Sequence, residues 1–431
     1  MNNKRVAIVG AGSSGLTAAR NLIDAGFEVD VLERERDLGG SWNHGTPQCR
    51  VHESTSMISS KPLTQYPDFP MPAEFPDYPN HRQALDYLRA YADHFGLGQF
   101  IRYGASVERI DKTQSGWAVS TANDGEMAYD AVVVANGHNW FPNLPEYGKD
   151  FTGESFHSGF YRNPAIVKGK RVLVIGRGNS GCDIAVEVSG HASHVSSSGR
   201  RGYHFIPRYL IGKPSDQVGE ALTMRGVPLE HRRRMTEWGI EQELGRIEEF
   251  GLPAPDHELF ETHPIINSRF PLAVRDGAIE ARPDVTGFRG DFALFADGSE
   301  ARFDVVIFAT GYRAVAPFLK GELSDWWNDG RPSLHLNVFH PSIDTLFFTG
   351  LIQPDSGQFG LVHWQSRAIA TFLNALFSGA PSVDDFRKQR MQDHAQLSGG
   401  VKYLALRRHA FEVEHVSYLG ALQTLIAELS D

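Results

Sequence analysis

The sequence predicts an α/β fold with two parallel sheets, because one strand–turn–helix pattern occurs twice in the chain. In each copy a short apolar strand runs into the spacing Gly-x-Gly-x-x-Gly, and helical sequence follows. Such a turn lets the backbone approach a pyrophosphate, which then lies at the positive end of the helix. Two copies predict two Rossmann-like dinucleotide-binding domains and electron transfer between their ligands. The glycines are Gly10, Gly12 and Gly15 in the first copy, and Gly176, Gly178 and Gly181 in the second.

The end of the first copy predicts which nucleotide it binds. A helix over residues 16–25 leads into a strand over 28–32, and that strand ends on Glu33. A carboxylate about twenty residues beyond the glycines accepts hydrogen bonds from a ribose whose 2′-hydroxyl is free. FAD and NAD carry such a ribose, whereas a 2′-phosphate would be repelled.

The second copy ends differently. The same distance beyond Gly181 reaches Ser198, Gly199 and then two arginines, Arg200 and Arg201. No carboxylate stands at this position of the sequence. A guanidinium can bind a 2′-phosphate through two parallel hydrogen bonds. The second nucleotide is therefore predicted to be NADPH, and the alternative is that the two arginines form a solvated surface pair.

The composition is that of a globular protein and excludes several functional classes. The chain has 431 residues and a net charge of −10 at pH 7, with 41% hydrophobic and 22% charged residues. This length suffices for two or three domains, and the acidic balance argues against nucleic-acid and anionic-membrane partners. Cys49 and Cys182 are too few for a disulfide framework or a structural zinc site, so we expect no metal. The N-terminus leads directly into a strand, and no apolar run reaches bilayer length, so we expect a cytoplasmic protein.

Between the two glycine turns, three segments have distinct patterns. The run Gly39-Gly40-Ser41-Trp42 allows close backbone approach to a ligand, or forms a plain turn with a core tryptophan. Residues 61–79 are rich in proline and aromatics, which predicts an ordered loop and excludes a helix or a central strand. Asn80 and Gln83 have the spacing of a helix capping box, and Gly96 ends that helix.

The remaining pattern predicts an interrupted first domain. Strands are expected over 106–111, 117–121 and 130–135, and after the second glycine turn over 278–281, 292–295, 304–309 and 346–349. Helical periodicity occurs around 229–250, inside a long insert over 203–266, and again over 362–377 and 416–429. We therefore expect a larger FAD domain over 1–165 and 300–431, with a smaller NADPH domain inserted over 166–299.

Several residue strings together resemble the flavin-containing monooxygenases, a branch of the class B flavoprotein monooxygenases. The most specific is Phe151-x-Gly153-x-x-x-His157-x-x-x-Tyr161-Arg162, which is similar to that family's fingerprint. The related Baeyer–Villiger enzymes typically have Trp followed by Pro or Asp in place of the last pair. The resemblance covers nearly the whole chain in the family's order. Its other strings are Gly39-Gly40-Ser41-Trp42, Asp68-Phe69-Pro70-Met71-Pro72, Phe308-Ala309-Thr310-Gly311-Tyr312 and Gly350-Leu351-Ile352-Gln353-Pro354.

The resemblance implies a chemistry that the cofactors carry. NADPH reduces FAD, oxygen adds to form a C4a-hydroperoxyflavin, and one oxygen atom passes to a soft nitrogen or sulfur nucleophile of a small molecule. The protein supplies orientation and a dry site. His157 is then a candidate catalytic residue that links domains or positions the nicotinamide, and the alternative is a hydrogen-bonded histidine with no chemical role.

One position departs from the family pattern. Many members carry an Asn three residues before a Lys or Arg, where it helps to hold the hydroperoxide over the flavin. Here the Lys is Lys61 and the matching residue is Ile58, which cannot donate a hydrogen bond. Ser59 and Ser60 are the candidate donors in its place. The departure bears on the substrate class and on the efficiency of oxygen transfer.

Position by position, the resemblance implies two sets of cofactor residues. Asn136, Gly137 and Thr310 end strands where ligand contacts are expected in parallel sheets. Gln353, and with it Gln365, are candidates for contact with the flavin or nicotinamide ring. The FAD set is Gly10, Gly12, Ser14, Gly15, Glu33, Gly40 and Trp42, and the NADPH set is Gly176, Gly178, Asn179, Ser180, Gly181 and Arg200.

Three rival functions remain open at this point. A flavin disulfide reductase needs two cysteines close in sequence, and Cys49 and Cys182 are not. Baeyer–Villiger oxygenation of a ketone is disfavoured by Tyr161-Arg162 but not excluded. A nucleotide-binding sensor without oxygenase activity, or a simple NADPH:flavin oxidoreductase, would keep both glycine turns. The expected partners are a small-molecule substrate and O2, and a homodimer is one arrangement that the sequence leaves open.

Overall fold

The computed structural model describes residues 4–328, 330–392 and 397–430 and confirms the predicted α/β class. The described chain forms two compact units. The first comprises residues 1–49, 59–138 and 314–431, and the second comprises 50–58 and 139–313. Each contains one five-stranded parallel sheet.

The helices, in chain order, are α1 Ser13–Asp24, α2 Lys61–Thr64, α3 His81–His94, α4 Asn179–Ser189, α5 Ser215–Met224, α6 Leu229–Leu244, α7 Arg269–Arg275, α8 Phe359–Ser378, α9 Ser382–Gln392 and α10 His415–Ser430. The strands of the first half are β1 Arg5–Val9, β2 Glu28–Glu33, β3 Ile101–Tyr103, β4 Val107–Lys112, β5 Trp117–Thr121, β6 Gly125–Tyr129, β7 Ala131–Val134, β8 Phe141–Pro142, β9 Glu154–His157, β10 Arg171–Ile175, β11 His194–Ser198, β12 Phe205–Ile206 and β13 Tyr209–Leu210. Those of the second half are β14 Lys213–Pro214, β15 Ile265–Ile266, β16 Glu280–Arg282, β17 Val285–Arg289, β18 Phe292–Phe295, β19 Glu300–Arg302, β20 Val305–Phe308, β21 Tyr312–Arg313, β22 Trp327–Asn328, β23 Arg331–Pro332, β24 Leu346–Phe348, β25 Gln353–Pro354 and β26 Glu412–Val413.

The sheet of the first unit has the order β24-β7-β1-β2-β3, with all neighbours parallel. Its central strands are continuous apolar runs because both faces of a parallel sheet are covered. Helices α1 and α8 pack against each other, and α8 also packs against α10. An antiparallel three-stranded sheet, β4-β5-β6, is added to this unit. Trp117, at its centre, is buried in the same core as β7 and β24.

The sheet of the second unit has the order β16-β11-β10-β20-β9, again parallel throughout. Its core joins β10, β11 and β20 to α4, α7 and the α6 region. Strands β17-β18-β19 form an antiparallel sheet over a smaller core. The chain enters and leaves through β8 and β21, which pair antiparallel through Tyr312 opposite Pro142.

The domain bounds differ from those expected. The predicted second domain, 166–299, omits two strands of its own sheet, because β9 precedes it and β20 follows it. Residues 50–58 also belong to the second unit. The proline- and aromatic-rich segment is mostly irregular, as predicted, but the exclusion of a helix was wrong for Lys61–Thr64. There Pro62 lies in the first turn, where its missing N–H costs no hydrogen bond.

The predicted capping box of α3 is confirmed. The Asn80 side chain accepts hydrogen bonds from the N–H groups of Arg82 and Gln83, and the Gln83 side chain accepts one from the Asn80 N–H. Gly96 follows the helix with φ of +62°. This local pattern fixes the start of a helix whose aromatic side chains, among them Tyr87 and Tyr91, pack on the irregular segment before it.

Candidate functional site

The first glycine turn excludes side chains at two points. Gly10 has φ of +106°, and a Cβ there would lie 2.8 Å from the Ala135 carbonyl oxygen. A Cβ on Gly15 would lie 1.8 Å from the Gly10 carbonyl oxygen. Helix α1 starts at Ser13, and Gly12 before it supplies no capping side chain. The first N–H groups of α1 are thus left for an anion such as a pyrophosphate.

Glu33 lies beside this turn at the carboxyl end of β2. Its carboxylate accepts hydrogen bonds from the N–H of Ala11 at 2.6 Å and the N–H of Glu35 at 2.9 Å. Burial raises the pKa of Glu33, although the two N–H donors act against the rise. Each carboxylate oxygen can accept more than one hydrogen bond, so ribose hydroxyls can still donate to it. The group therefore fits an adenosine with a free 2′-hydroxyl.

The run Gly39-Gly40-Ser41-Trp42 lies against the same turn. The Gly39 N–H donates to the Ala11 carbonyl at 2.9 Å, and a Cβ on Gly40 would lie 3.1 Å from the Gly12 Cα. The run thus lies close to the backbone of the glycine turn, and its approach to a ligand stays a prediction. Trp42 is half-buried and meets Phe359 edge to face at 6.4 Å between ring centroids.

The loops after β7 and β24 complete this edge of the sheet. Asn136 donates to the Val315 carbonyl at 2.9 Å, which ties the loop after β7 to the returning chain. Gly350, after β24, approaches Ser14 so closely that a Cβ would lie 2.3 Å from the Ser14 Oγ. Gln353 is half-buried in β25. Ser14, Asn136 and Gly350 follow the ends of β1, β7 and β24, at the sheet edge that carries Gly12 and Glu33.

The prediction of a ring contact for Gln365 is wrong. This side chain is fully buried in α8. Its oxygen accepts from the Gly350 N–H at 2.9 Å and the Thr349 hydroxyl at 3.0 Å, and its nitrogen donates to the Tyr418 hydroxyl at 2.7 Å. Gln365 therefore holds the Gly350 loop in place.

The proline- and aromatic-rich segment is an ordered loop over the start of α1. Lys61 Nζ donates to three carbonyl oxygens of the loop, those of Pro72, Ala73 and Phe75, at 2.9–3.1 Å. The Tyr66 hydroxyl donates to the Ser13 carbonyl at 2.6 Å. These bonds close the loop on itself and fix it to the first turn of the helix that carries Ser14.

The candidate oxygen-site donors have partners inside the protein. Ser60 is fully buried, which makes it a poor donor to any ligand, so the structure contradicts that part of the prediction. Ser59 is half-buried, and its hydroxyl is 2.8 Å from the Thr64 hydroxyl. Ile58 packs in the second unit against an apolar cluster that includes Leu210 and Leu259.

The second glycine turn repeats the first in the other unit. A Cβ on Gly181 would lie 2.0 Å from the Gly176 carbonyl oxygen. Helix α4 starts at Asn179 without a capping side chain from Gly178. A Cβ on Gly178 would meet nothing within 4 Å, so the backbone there faces open space. Ser180 is exposed in the same first turn. The arrangement fits a pyrophosphate at the N-terminus of α4.

The Asn179 side chain has partners within the second unit, and its contact with the nucleotide stays a prediction. Its oxygen accepts from the Ile266 N–H at 2.9 Å, and its nitrogen donates to the Pro264 carbonyl at 2.9 Å. Both ends of the amide are used to hold β15 against the start of α4. Sequence spacing could not reveal this, because residues 264–266 are more than eighty positions away.

The two arginines after β11 have different environments. Arg200 is exposed, whereas Arg201 is half-buried with its Nε 3.7 Å from Asp256. Arg177, between the first two glycines, was not predicted as a site residue. It is only 3% exposed, and its Nη2 donates to the Ser197 carbonyl at 2.7 Å and the Arg282 carbonyl at 2.8 Å. A charged residue inside a glycine turn was the signal that could have identified it.

His157 has a structural environment in the second unit. It is 1% exposed, its Nε2 is 2.9 Å from the Gly311 carbonyl, and its Nδ1 accepts from the Gly159 N–H at 3.1 Å. These bonds require the neutral Nε2–H tautomer, and burial lowers the pKa of His157 to about 4. With both nitrogens engaged, His157 cannot exchange protons with a substrate. This environment is the one expected of the alternative, a hydrogen-bonded histidine, and the role in linking domains or positioning the nicotinamide stays a prediction.

Thr310 and Gly137 lie where the expected strand-end contacts were placed. The Thr310 hydroxyl donates to the Asn143 carbonyl at 2.6 Å, next to the β8–β21 pair. Gly137 is exposed with φ of +72°. Among the described residues no group of three His, Cys, Asp or Glu side chains could hold a metal ion. None of the described helices has the length and apolar character needed to cross a bilayer.

Comparison with known proteins identifies the family. The family model described as "FMO-like: Flavin-binding monooxygenase-like" matches residues 3–430. The curated dimethylaniline monooxygenase [N-oxide-forming] 2 of Oryctolagus cuniculus is 35% identical over 398 residues, which is 87% of this chain and 74% of the relative.

Two solved structures share the fold. S-allyl-L-cysteine S-oxygenase from Allium sativum has a TM-score of 0.67 at 22% identity, covering 99% of this chain and 89% of the other. Cyclohexanone monooxygenase from Rhodococcus sp. Phi1 bound to NADP+ has a TM-score of 0.73 at 17% identity, covering 100% and 98%. With the family match over the whole described chain, the conclusion is direct: the chain belongs to the flavin-binding monooxygenase-like family and is an FAD- and NADPH-dependent monooxygenase.

Proposed function

We propose that this protein uses NADPH and O2 to transfer one oxygen atom to a soft nitrogen or sulfur nucleophile of a small molecule. The observation that carries the proposal is the opposite charge at two otherwise equivalent turns. Both units pair a Gly-x-Gly-x-x-Gly turn with an uncapped helix. The strand beside the first turn ends on a carboxylate, and the strand beside the second leads into arginines. Two different dinucleotides, one of them phosphorylated on its ribose, fit such a pair.

We assign the adenosine diphosphate part of FAD to the first unit, a Rossmann-like domain. The N-terminus of α1 is available to its pyrophosphate, and Glu33 to its ribose hydroxyls. Gly12 and Gly40 carry no side chains, so a ligand can come close to the backbone at both positions. The loop fixed by Lys61 and Tyr66 shields this edge of the sheet.

We assign NADPH to the second unit, also a Rossmann-like domain. The exposed Ser180 and the N–H groups at the start of α4 are available to its pyrophosphate, and Arg200 to its 2′-phosphate. Gly178, where a Cβ would meet nothing, leaves the approach open. When bound, the flavin supplies the redox and oxygen chemistry, and the chain binds, orients and shields the two cofactors.

Two observations favour nitrogen or sulfur over a ketone as the oxygen acceptor. The curated relative is named for N-oxide formation, and one structural neighbour for S-oxygenation. The fingerprint in this chain ends in Tyr161-Arg162, whereas the Baeyer–Villiger enzymes typically have Trp followed by Pro or Asp there. Baeyer–Villiger oxygenation is the second candidate, because the fold is also similar to that of cyclohexanone monooxygenase.

A single competition experiment separates these activities. The FAD-loaded enzyme receives NADPH, air, a thioether and a cyclic ketone in one vessel, and the products are quantified against NADPH consumed. We expect sulfoxide in near-stoichiometric yield and little hydrogen peroxide. Lactone as the main product would assign the ketone activity instead. NADPH oxidation that yields hydrogen peroxide alone would refute oxygen transfer altogether.

A further inference from the structure

The two glycine turns can be aligned residue by residue through strand register. Val9 lies opposite Leu32, and the next N–H, that of Gly10, donates to the Leu32 carbonyl at 2.9 Å. In the second unit Ile175 lies opposite Ser198, and the Gly176 N–H donates to the Ser198 carbonyl at 2.9 Å. The residue that follows these partners is therefore Glu33 in one unit and Gly199 in the other. By the same alignment, Ala11 corresponds to Arg177.

The Arg177 side chain occupies the place that the glutamate side chain has in the first unit. A Cβ on Gly199 would lie 2.8 Å from Cδ, 3.0 Å from Nε and 3.1 Å from Cγ of Arg177. Any side chain at position 199 would therefore displace the arginine. The small side chain of Ala11 leaves room for a carboxylate at this place, and the glycine at 199 leaves room for a guanidinium.

The charge of Arg177 has no anionic partner within the described protein. Its acceptors are two neutral carbonyls, those of Ser197 and Arg282, and its Nε is buried without an acceptor. A guanidinium stays protonated at neutral pH even when burial lowers its pKa, as it does for Arg177. A buried cation without a counter-ion is costly to the folded state. An anionic ligand at this position would supply the missing charge.

We propose that Arg177 is the buried cation of the 2′-phosphate site, acting together with the exposed Arg200, and that position 199 is glycine to make room for it. The inference rests on the proposed placement of NADPH in the second unit. Register puts Gly199 at the position of Glu33, which we assign to the ribose in the first unit, and the Arg177 side chain fills the space beside Gly199. The counterpart of Arg177 is therefore the 2′-substituent of the ribose and not the pyrophosphate. Arg177, inside the glycine turn, and Arg200, after β11, would then both favour the coenzyme that carries the 2′-phosphate.

The test measures binding of two probes, 2′,5′-ADP and 5′-ADP, to the FAD-loaded protein by calorimetry. In Arg177→Leu we expect 2′,5′-ADP to bind about 10- to 100-fold more weakly, the loss typical of one charged hydrogen-bond donor. The affinity for 5′-ADP should change less than about threefold. Arg171→Leu is the matched control, because it removes an arginine from β10 at the opposite end of the same sheet. It should leave the ratio of the two affinities unchanged.

Two further variants keep the inference testable if Arg177→Leu folds poorly. Arg177→Lys retains the charge and should keep part of the preference for 2′,5′-ADP. The double variant Arg177→Ala/Gly199→Glu restores the arrangement of the first unit and should invert the preference towards 5′-ADP. Equal weakening of both probes in Arg177→Leu, or an unchanged ratio, would overturn the role of Arg177. A wild-type protein that binds both probes equally would instead overturn the NADPH assignment itself.

Discussion

The buried His157 makes the stability of the second unit depend on pH, and the size of the effect follows from its environment. Its pKa is about 4 in the folded protein, against 6.5 for an ordinary histidine. Between these values the unfolded chain binds a proton that the folded chain does not. The free energy of unfolding therefore falls as pH falls through this window and is unaffected above it. At 1.36 kcal/mol per pKa unit, the total loss from pH 6.5 to pH 4 is about 3 kcal/mol.

The perturbation that tests this is His157→Gln, which keeps a polar side chain but cannot be protonated. Urea denaturation from pH 4 to pH 8 should show a shallower acid slope in the variant than in the wild type. His340→Gln is the matched control from the first unit, because burial lowers the pKa of His340 to about 4 as well. Each variant should remove only the part of the acid dependence of the unfolding free energy that its own histidine contributes.

The same variant separates the structural role of His157 from a catalytic one. We expect the pH profile of kcat/KM in His157→Gln to keep the wild-type shape, since the ring is 1% exposed with both nitrogens engaged. An unchanged acid slope of stability, together with loss of a titrating group from the kinetic profile, would refute the reasoning.

Four further variants test the two nucleotide sites. Arg200→Ala should raise KM for NADPH strongly and leave the use of NADH nearly unchanged, and equal losses for both coenzymes would contradict the 2′-phosphate assignment. Glu33→Gln should weaken FAD binding about tenfold, visible as a lower flavin-to-protein absorbance ratio, because one of two backbone donors loses its acceptor. Gly178→Ala should fold with a normal melting temperature, because its added Cβ meets nothing in the protein, but it should bind NADP+ poorly. Gly181→Ala should fold poorly, because its added Cβ would meet the Gly176 carbonyl. Similar melting temperatures for the two alanine variants would count against this account of the turn.

Features that depend on neighbouring residues were predictable from the sequence. The glycine turns, the capping box at Asn80 and the acidic end of β2 each follow from a spacing of a few residues, and the structure has all three. The strand over 292–295 was predicted with its bounds. Such patterns are readable because steric exclusion and backbone hydrogen bonding act locally.

Features that depend on distant partners were not predictable. The Asn179 and Gln365 amides were expected near ligands, but Pro264 and Tyr418, both far along the chain, are among their hydrogen-bond partners. The bounds of the second unit were missed because its sheet recruits β9 and β20 from beyond both ends of the repeated motif. Arg177 was overlooked because its side chain packs beside a glycine, Gly199, that follows another strand.

The antiparallel pair formed by β8 and β21 has a practical consequence for exchanging nucleotide-binding modules between related enzymes. Because β8 and β21 pair with each other, the two ends of the segment 139–313 lie next to each other. A short linker could therefore take the place of this segment. The segment 139–313 is nevertheless not the whole second unit, which also includes residues 50–58. Arg50 donates to the Trp140 carbonyl at 2.7 Å, and His52 lies 3.4 Å from Glu187, so the segment 50–58 has to be transplanted with it. A chimera built from the contiguous stretch alone would leave Glu187, on α4, without its histidine.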